Sequence, residues 1–594
     1  MNLYTNIKKQ IIAILQDLQQ QEILPADAVF DHIDVSPTRE ASHGDMATNA
    51  AMILAAKSGK KPKELAEIIA ERIKNIEHIE KVEIAGPGFI NLYFKPQFWQ
   101  QIIPAILKDG NSYGNSSLGA GQNINVEYVS ANPTGPMHVG HGRGAVYGDA
   151  LAMLLLKAGY NVTKEYYIND AGGQVDKLAW AAAYRYLQAF GVEVSEETLA
   201  NFYPGDYLIA VGEALKLNCG NEFLQKDAAG NYELRPLEDW LETIRDFTVE
   251  AMLNLIKDDL RVLGIEHDVF TSERKLARQG RIEEALEVLQ NKELIYTGIL
   301  EAPKGKAPPE DWEPRPQTLF KSTLFGDDVD RALKKSDGSW TYFAPDIAYH
   351  YDKVRRGSEL LVDVLGADHG GYAKRIKAAV SALTDGEAKL EIKLCQMVNL
   401  MRGGEPVKMS KRKGTIITAR EVVEEVGSGV FRFIMLTRKN DAMLDFDFEK
   451  VTEQSKDNPV FYVQYAHARA KSVLRIAREE NGVALAFSES PTSDQIALLT
   501  HPAEIAILRL MAFFPKAVEA AAIACEPHRI AFYLQELAGE FHSLWNVGNG
   551  NISLRFLQKD AIDVTSARLA LVRVLATVIA SGLTILGVEP VEEM

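Results

Sequence analysis

The 594-residue sequence predicts an α/β protein in three parts: a small α+β domain, a central α/β domain split by a helical insertion, and a closing α-helical bundle. Three observations predict this. Strand-like runs alternate with helical ones through the middle of the chain, an alternating hairpin pattern stands near the amino end, and alanine-rich helical periodicity takes over after about residue 455. At roughly 100–200 residues per domain, so long a chain exceeds one core.

Residues 1–113 hold the first part. LAEIIAERIKNI has helical spacing of its apolar positions, while VEIAGPGFINLYF alternates about a turn at Gly86, Pro87 and Gly88. The polar run GNSSLGAGQN (114–123) reads as the linker into a domain spanning 114–455. That domain opens with the strand INVEYVS, then ANPTGP, whose two prolines forbid regular structure, then a helix from about His141 to Ala158 capped by Gly159. Strand, loop and helix in that order begin a Rossmann-type nucleotide-binding unit. From about 175 to 318 the pattern is mainly helical and closes on EAPKGKAPPEDWEPRPQT, where five prolines in eighteen residues make an extended connector. WTYFAPDIAYHYDK, LLVDVLGADHGGYAKR and IKLCQMVNLMR restore the strand–helix alternation, so 175–318 reads as an insertion. Helical runs such as FYVQYAHARAKSVLRIAREE fill 456–594.

Composition narrows the class. With 46% hydrophobic and 25% charged residues, disordered and collagen-like chains are excluded. Cys219, Cys395 and Cys525 stand far apart with no CxxC pair, which argues against a zinc site or disulfide framework and for a reducing, intracellular compartment. The amino terminus has only a five-residue apolar run after its lysines, so export is not expected. The apolar stretch 569–588 is interrupted by Arg573 and diluted by Thr577, Ser581, Gly582 and Thr584, and reads as a buried helix rather than a membrane span. A formal charge of −16 repels phosphate backbones overall, leaving nucleic-acid contact to local basic patches.

Two motifs carry chemistry. HVGH places His138 and His141 three apart at the start of a helix, so both imidazoles can face one object where unpaired N–H groups already favour phosphate. Gly140 between them lets a flat base or ribose approach the backbone. Some 270 residues later, KMSKRKG (408–414) lies in a stretch with six bases (Arg402, Lys408, Lys411, Arg412, Lys413, Arg420) against Glu405 alone. Compact lysine ammonium groups suit a departing pyrophosphate. Taken singly, capping histidines and a solvated basic face look the same.

HxGH and KMSK in this order on a split α/β sheet resemble the HIGH and KMSKS signatures of class I aminoacyl-tRNA synthetases. Within that class, EYVSANPTGPMHVGHGRGAVYGDALAMLLLKAGY, YYINDAGGQ, WTYFAPDIAYH, GADHGGYAKR, FYVQYAHAR and the closing LGVEPVEEM are similar to the bacterial type of arginyl-tRNA synthetase. One departure is KMSKR where the class often has KMSKS; Lys411 is retained. The remaining alternatives are another class I synthetase, a small-molecule adenylating ligase with the same HxGH signature, or a non-catalytic tRNA-binding relative.

A guanidinium substrate is planar and always charged, so its pocket needs carboxylates. Glu127 lies in the first strand just before the signature loop, and Asp346 is expected where a later strand, WTYFA, ends; a surface strand acid would look like Glu127 taken alone. Lysine cannot satisfy two parallel acceptors and citrulline leaves them unpaired, so editing is dispensable. The resemblance implies the class I catalytic fold, with Glu127, Tyr342 and Asp346 reading the arginine side chain, Ser130, Asn132 and His138 near its amino and carboxylate groups, and His369 beside the bound amino acid. A histidine after a strand is also often a turn hydrogen-bonder. It further implies ATP binding by His138, Gly140, His141, Lys408, Met409, Ser410 and Lys411, with His138, His141, Lys408 and Lys411 catalytic. Magnesium would ride with ATP, with no tightly bound cofactor and no zinc. The partners implied are arginine, ATP and the tRNA specific for arginine, with adenylate formation dependent on that tRNA. The amino-terminal domain would contact the tRNA elbow. The bundle would read the anticodon through Tyr462, Tyr465 and Arg469, which lie three and four apart on one helical face, the spacing of an aromatic core stripe as well. A cytoplasmic monomer without membrane contact is expected.

Overall fold

The computed structural model describes residues 1–38, 40–300, 315–407, 417–479 and 491–594. Their packing forms two compact units, one of 119–453 and one that joins 1–118 to 454–594.

The α/β expectation holds. The 119–453 unit is built on a five-stranded parallel sheet in the order Lys389–Cys395, Leu360–Gly366, Asn123–Glu127, Asn161–Ile168, Val269–Ser272. The chain starts in the middle, winds outward to one edge and then returns to build the other. The carboxyl ends of Asn123–Glu127 and Leu360–Gly366 therefore flank the switch point where such sheets bind ligands. The edge strand Val269–Ser272 comes from the stretch that reads as helical in sequence. The first helix, Val139–Lys157, lies against the sheet at close range: a Cβ on Gly148 would stand 2.3 Å from Cβ of Tyr128.

One row of the sheet is charged. Glu165, Glu127 and Asp363 are in register on three adjacent strands, share one face, and are all buried. The helix Phe343–Arg355 covers that face, and at successive turns His350, Lys353 and then Arg356 meet the row. Lys353 Nζ donates to Glu127 Oε2 at 2.6 Å and to Asp363 Oδ1 at 3.0 Å, His350 Nε2 lies 2.7 Å from Asp363 Oδ2, and Arg356 pairs with Glu165 at 2.8 Å. This helix corrects the expectation for WTYFA. The segment pairs only through an isolated bridge between Lys334 and Trp340, and the chain is helical from Phe343, which puts Asp346 in a first helical turn instead of at a strand end. Pro345 fits a first turn because the N–H it lacks would have no partner there.

In the other unit, Val35–Pro37, Met46–Thr48, Phe89–Phe94 and Ile79–Ala85 form an antiparallel sheet in that order, with the expected turn at 86–88. Tyr113 donates its hydroxyl to the Met511 carbonyl at 2.9 Å and Lys516 pairs with Asp34 at 2.6 Å, so chain segments some four hundred residues apart share one core. The apolar helix Ile562–Ile585 is long enough to cross a membrane, yet 78% of its most apolar window is buried inside this unit.

Candidate active site

After Glu127 the chain leaves the sheet in a conformation that few side chains adopt. Val129 and Ser130 have φ of +70° and +39°. The bend is held by Ser130 Oγ, which donates to Glu127 Oε1 at 2.9 Å and accepts from the Tyr167 N–H at 3.1 Å. Further on, Tyr166 and Tyr207 donate to the carbonyls of Ala131 and Thr134. Asn132 is exposed and donates to Gln174 Oε1 at 3.1 Å.

His138 is the N-cap of the helix Val139–Lys157, and its ring stacks on that of His141 with centroids 3.6 Å apart. Gly140 is what permits this: a Cβ there would stand 2.8 Å from His138 Cε1. Burial, then the neighbouring His138, pushes the His141 imidazole down to about 3, and its buried Nδ1 has no hydrogen-bond partner among the described residues. His141 is therefore a neutral ring at physiological pH. Lys408, Met409, Ser410 and Lys411 lie outside the described residues. Where the chain resumes, it runs beside the histidine signature: Val139 N–H donates to the Ile417 carbonyl at 3.2 Å, Ala419 N–H to the Met137 carbonyl at 2.8 Å, and His138 and Thr418 form a bridge.

Two further acids stand out, one in the first turn of the helix Phe343–Arg355 and one directly after the edge strand. Asp346 is half-buried and accepts the Tyr372 hydroxyl. Burial lifts its carboxyl to about 6, although that hydroxyl pulls the other way. Glu273, directly after the edge strand, is lifted to about 7 by burial and then by Asp346. Neither forms an ion pair among the described residues. Glu127 and Asp363 differ from them, because Lys353 lies against both. Ligand atoms of Glu127, His350 and Asp363 lie within 4.8 Å of one another, and the cation among them is the lysine ammonium.

Two sequence candidates are exposed to solvent. Tyr342 is 74% exposed with Lys335 over its ring, and His369 lies exposed in the turn Ala367–Tyr372 with Asp368 as its near neighbour. The residue of that turn that reaches the acids is Tyr372. Glu273 escaped the sequence reading; the signal was present, a carboxylate at the carboxyl end of a sheet strand, but the strand was hidden in a helical stretch. In the other unit, Arg469 donates to the Tyr465 hydroxyl at 2.7 Å and to His542 Nδ1 at 3.0 Å, and lies 4.3 and 4.4 Å from the ring centres of Tyr465 and Trp545. Tyr462 packs on His542.

Three family models divide the chain: the arginyl tRNA synthetase N terminal domain over 5–94, the class I (R) tRNA synthetase catalytic domain over 102–472, and the DALR anticodon binding domain over 463–594. The chain belongs to the class I arginyl-tRNA synthetases. Full-length relatives agree with this synthetase assignment: arginine–tRNA ligases of Cereibacter sphaeroides and Parvibaculum lavamentivorans are each 57% identical, with 100% of both chains covered. Among solved structures, an arginyl-tRNA synthetase from Campylobacter jejuni matches at 29% identity and TM-score 0.69, covering 84% of this chain and 100% of its own. The arginyl-tRNA synthetase of Thermus thermophilus, at 20% identity and TM-score 0.71 over 99% of each chain, shares the fold.

Proposed function

We propose the following division of labour for a chain that ligates L-arginine to its tRNA at the expense of ATP, through an arginyl-adenylate. The observation that carries it is the pair Asp346 and Glu273: two half-buried carboxylates with raised pKa values and no ion pair among the described residues, one in the first turn of the helix Phe343–Arg355 and one directly after the edge strand. A guanidinium supplies the missing charge and donates to both. Glu127, already neutralised by Lys353, shapes the wall of that pocket with Ser130. Tyr342, Asn132 and His369 are exposed, and we assign them to contacts formed once substrate is bound.

The arginine carboxylate attacks the α-phosphorus of ATP, and pyrophosphate leaves. His138 and His141 stabilise the charge on the α-phosphoryl group, with Gly140 clearing the approach, and the 408–411 loop follows the pyrophosphate, each such donor being worth about 2–4 kcal/mol. Magnesium arrives with ATP as part of the substrate. The terminal ribose hydroxyl of the tRNA then attacks the adenylate carbonyl and releases AMP. For the tRNA, Phe89 is 42% exposed at a groove lined also by Asp34, Ser36, Thr38, Asn49 and Asn91, a setting for an unstacked base in the amino-terminal domain (1–113). The half-buried Tyr462, Tyr465 and Arg469, gathered about His542, supply an anticodon platform in 456–594. We assign catalysis to 114–455 and expect a cytoplasmic monomer without membrane contact.

Asp346→Asn and Glu273→Gln test the pocket. Each is expected to raise the KM for arginine at least tenfold while that for ATP changes less than about threefold. Equal effects on both substrates would make these acids structural.

A further inference from the structure

We propose that Asp259 is a positioning residue that ties the two ATP signatures to each other and to the inserted helical segment. It lies near the end of the helix Leu241–Val262 and is 3% exposed. Its two oxygens serve two different chain segments: Oδ2 accepts the Met137 N–H at 3.1 Å, and Oδ1 accepts Arg420 Nε at 2.8 Å. Met137 immediately precedes His138, and Arg420 stands in the first turn of the helix Ala419–Val426, directly after the lysine loop.

Two features set this contact apart from ordinary packing. Arg420 occupies the positive end of a helix dipole, an unfavourable place for a cation unless an anion is supplied, and the buried Asp259 is that anion. Met137 also spends both of its backbone groups on the junction, its N–H on Asp259 and its carbonyl on Ala419. The carboxylate therefore fixes the residue before the histidine signature against the start of the helix Ala419–Val426. Transfer from the α-phosphoryl group to departing pyrophosphate needs the two signatures held in register, and the helix carrying Asp259 ties the residue before His138 to the helix that follows the lysine signature in sequence.

This rests on the assignment of HVGH and KMSKRKG to ATP. The test uses the full-length enzyme with arginine and saturating tRNA, measuring ATP–pyrophosphate exchange for Asp259→Asn, Arg420→Ala, the double variant and His138→Ala. An asparagine can accept from only one of the two donors. Either single variant should lower kcat about tenfold and raise the KM for ATP severalfold, leave the KM for arginine within about twofold, and shift Tm by only a few degrees. The double variant should be no worse than about the weaker single, because both changes cut one link. Arg420 is partly exposed, so its variant keeps the test alive should Asp259→Asn fold poorly. Additive losses, a parallel rise in both KM values, or wild-type kinetics would overturn the proposal while leaving the signatures in place. Wild-type exchange in His138→Ala would overturn the signature assignment itself.

Discussion

The ammonium of Lys353, wholly buried, donates to Glu127 Oε2 at 2.6 Å. The bond joins the helix that carries Asp346 to the strand that ends at the switch point, so one helix both presents Asp346 and holds Glu127. Asp363 completes the arrangement: burial opposes its charge, yet Lys353 and His350 hold it well below the usual carboxylate range.

Removing that lysine should be costly. Lys353→Met leaves Glu127 and Asp363 buried with His350 as the near cation, and breaking a buried pair from one side typically costs about 3–5 kcal/mol. Urea unfolding is expected to show a loss of that order or a chain that no longer folds. A loss under about 1 kcal/mol would mean the row of acids is hydrated or protonated in solution.

Arginine binding should depend on pH between 5 and 8. Asp346 and Glu273 titrate at about 6 and about 7 in the free site, and only their ionised forms attract a guanidinium. Affinity is thus complete above about pH 7.5 and lost as pH falls through 7 and 6, with proton release on binding in that range. In the substrate-free protein the sign reverses. A carboxyl with a raised pKa in the folded state makes the fold bind more protons than the unfolded chain, so its contribution to stability falls as pH rises from about 4 to 7. Calorimetry of arginine binding in two buffers of different ionisation heat checks this; a KM for arginine flat from pH 5.5 to 8 would contradict it.

The stacked histidines should tolerate little between them. Gly140→Ala puts a methyl where His138 Cε1 now lies 2.8 Å away, so the ring must move. Both Gly140→Ala and His138→Ala are expected to slow arginine activation at least tenfold with unchanged far-UV circular dichroism. Near-normal rates in Gly140→Ala would show that the stacked pose is not the working one.

Much of this site was legible because its parts are local. A strand followed by proline-broken loop and HVGH helix needs only neighbouring residues to declare itself, and Glu127, His138, Gly140 and His141 all lie on it. Asp346 stands out in the sequence but is expected at a strand end instead of in a helix, since WTYFA has strand-like composition and only Pro345 hints at a helix start. Glu273 and Lys353 were missed for another reason: an acid after a four-residue strand and a lysine on a helix take their meaning from partners far away in sequence. The same holds for the shared core of 1–118 and 454–594, because periodicity reports which face a helix buries and not against what.

The most direct measurement of the central claim is ATP–pyrophosphate exchange by the full-length protein with each of the twenty amino acids, with and without tRNA specific for arginine. Two half-buried carboxylates without an ion pair among the described residues predict exchange with arginine, none above background with lysine or with neutral citrulline as a control, and, by the family resemblance, exchange only when the tRNA is present. Exchange driven by another amino acid, or exchange at full rate with citrulline, would contradict the assignment of Asp346 and Glu273 to a guanidinium.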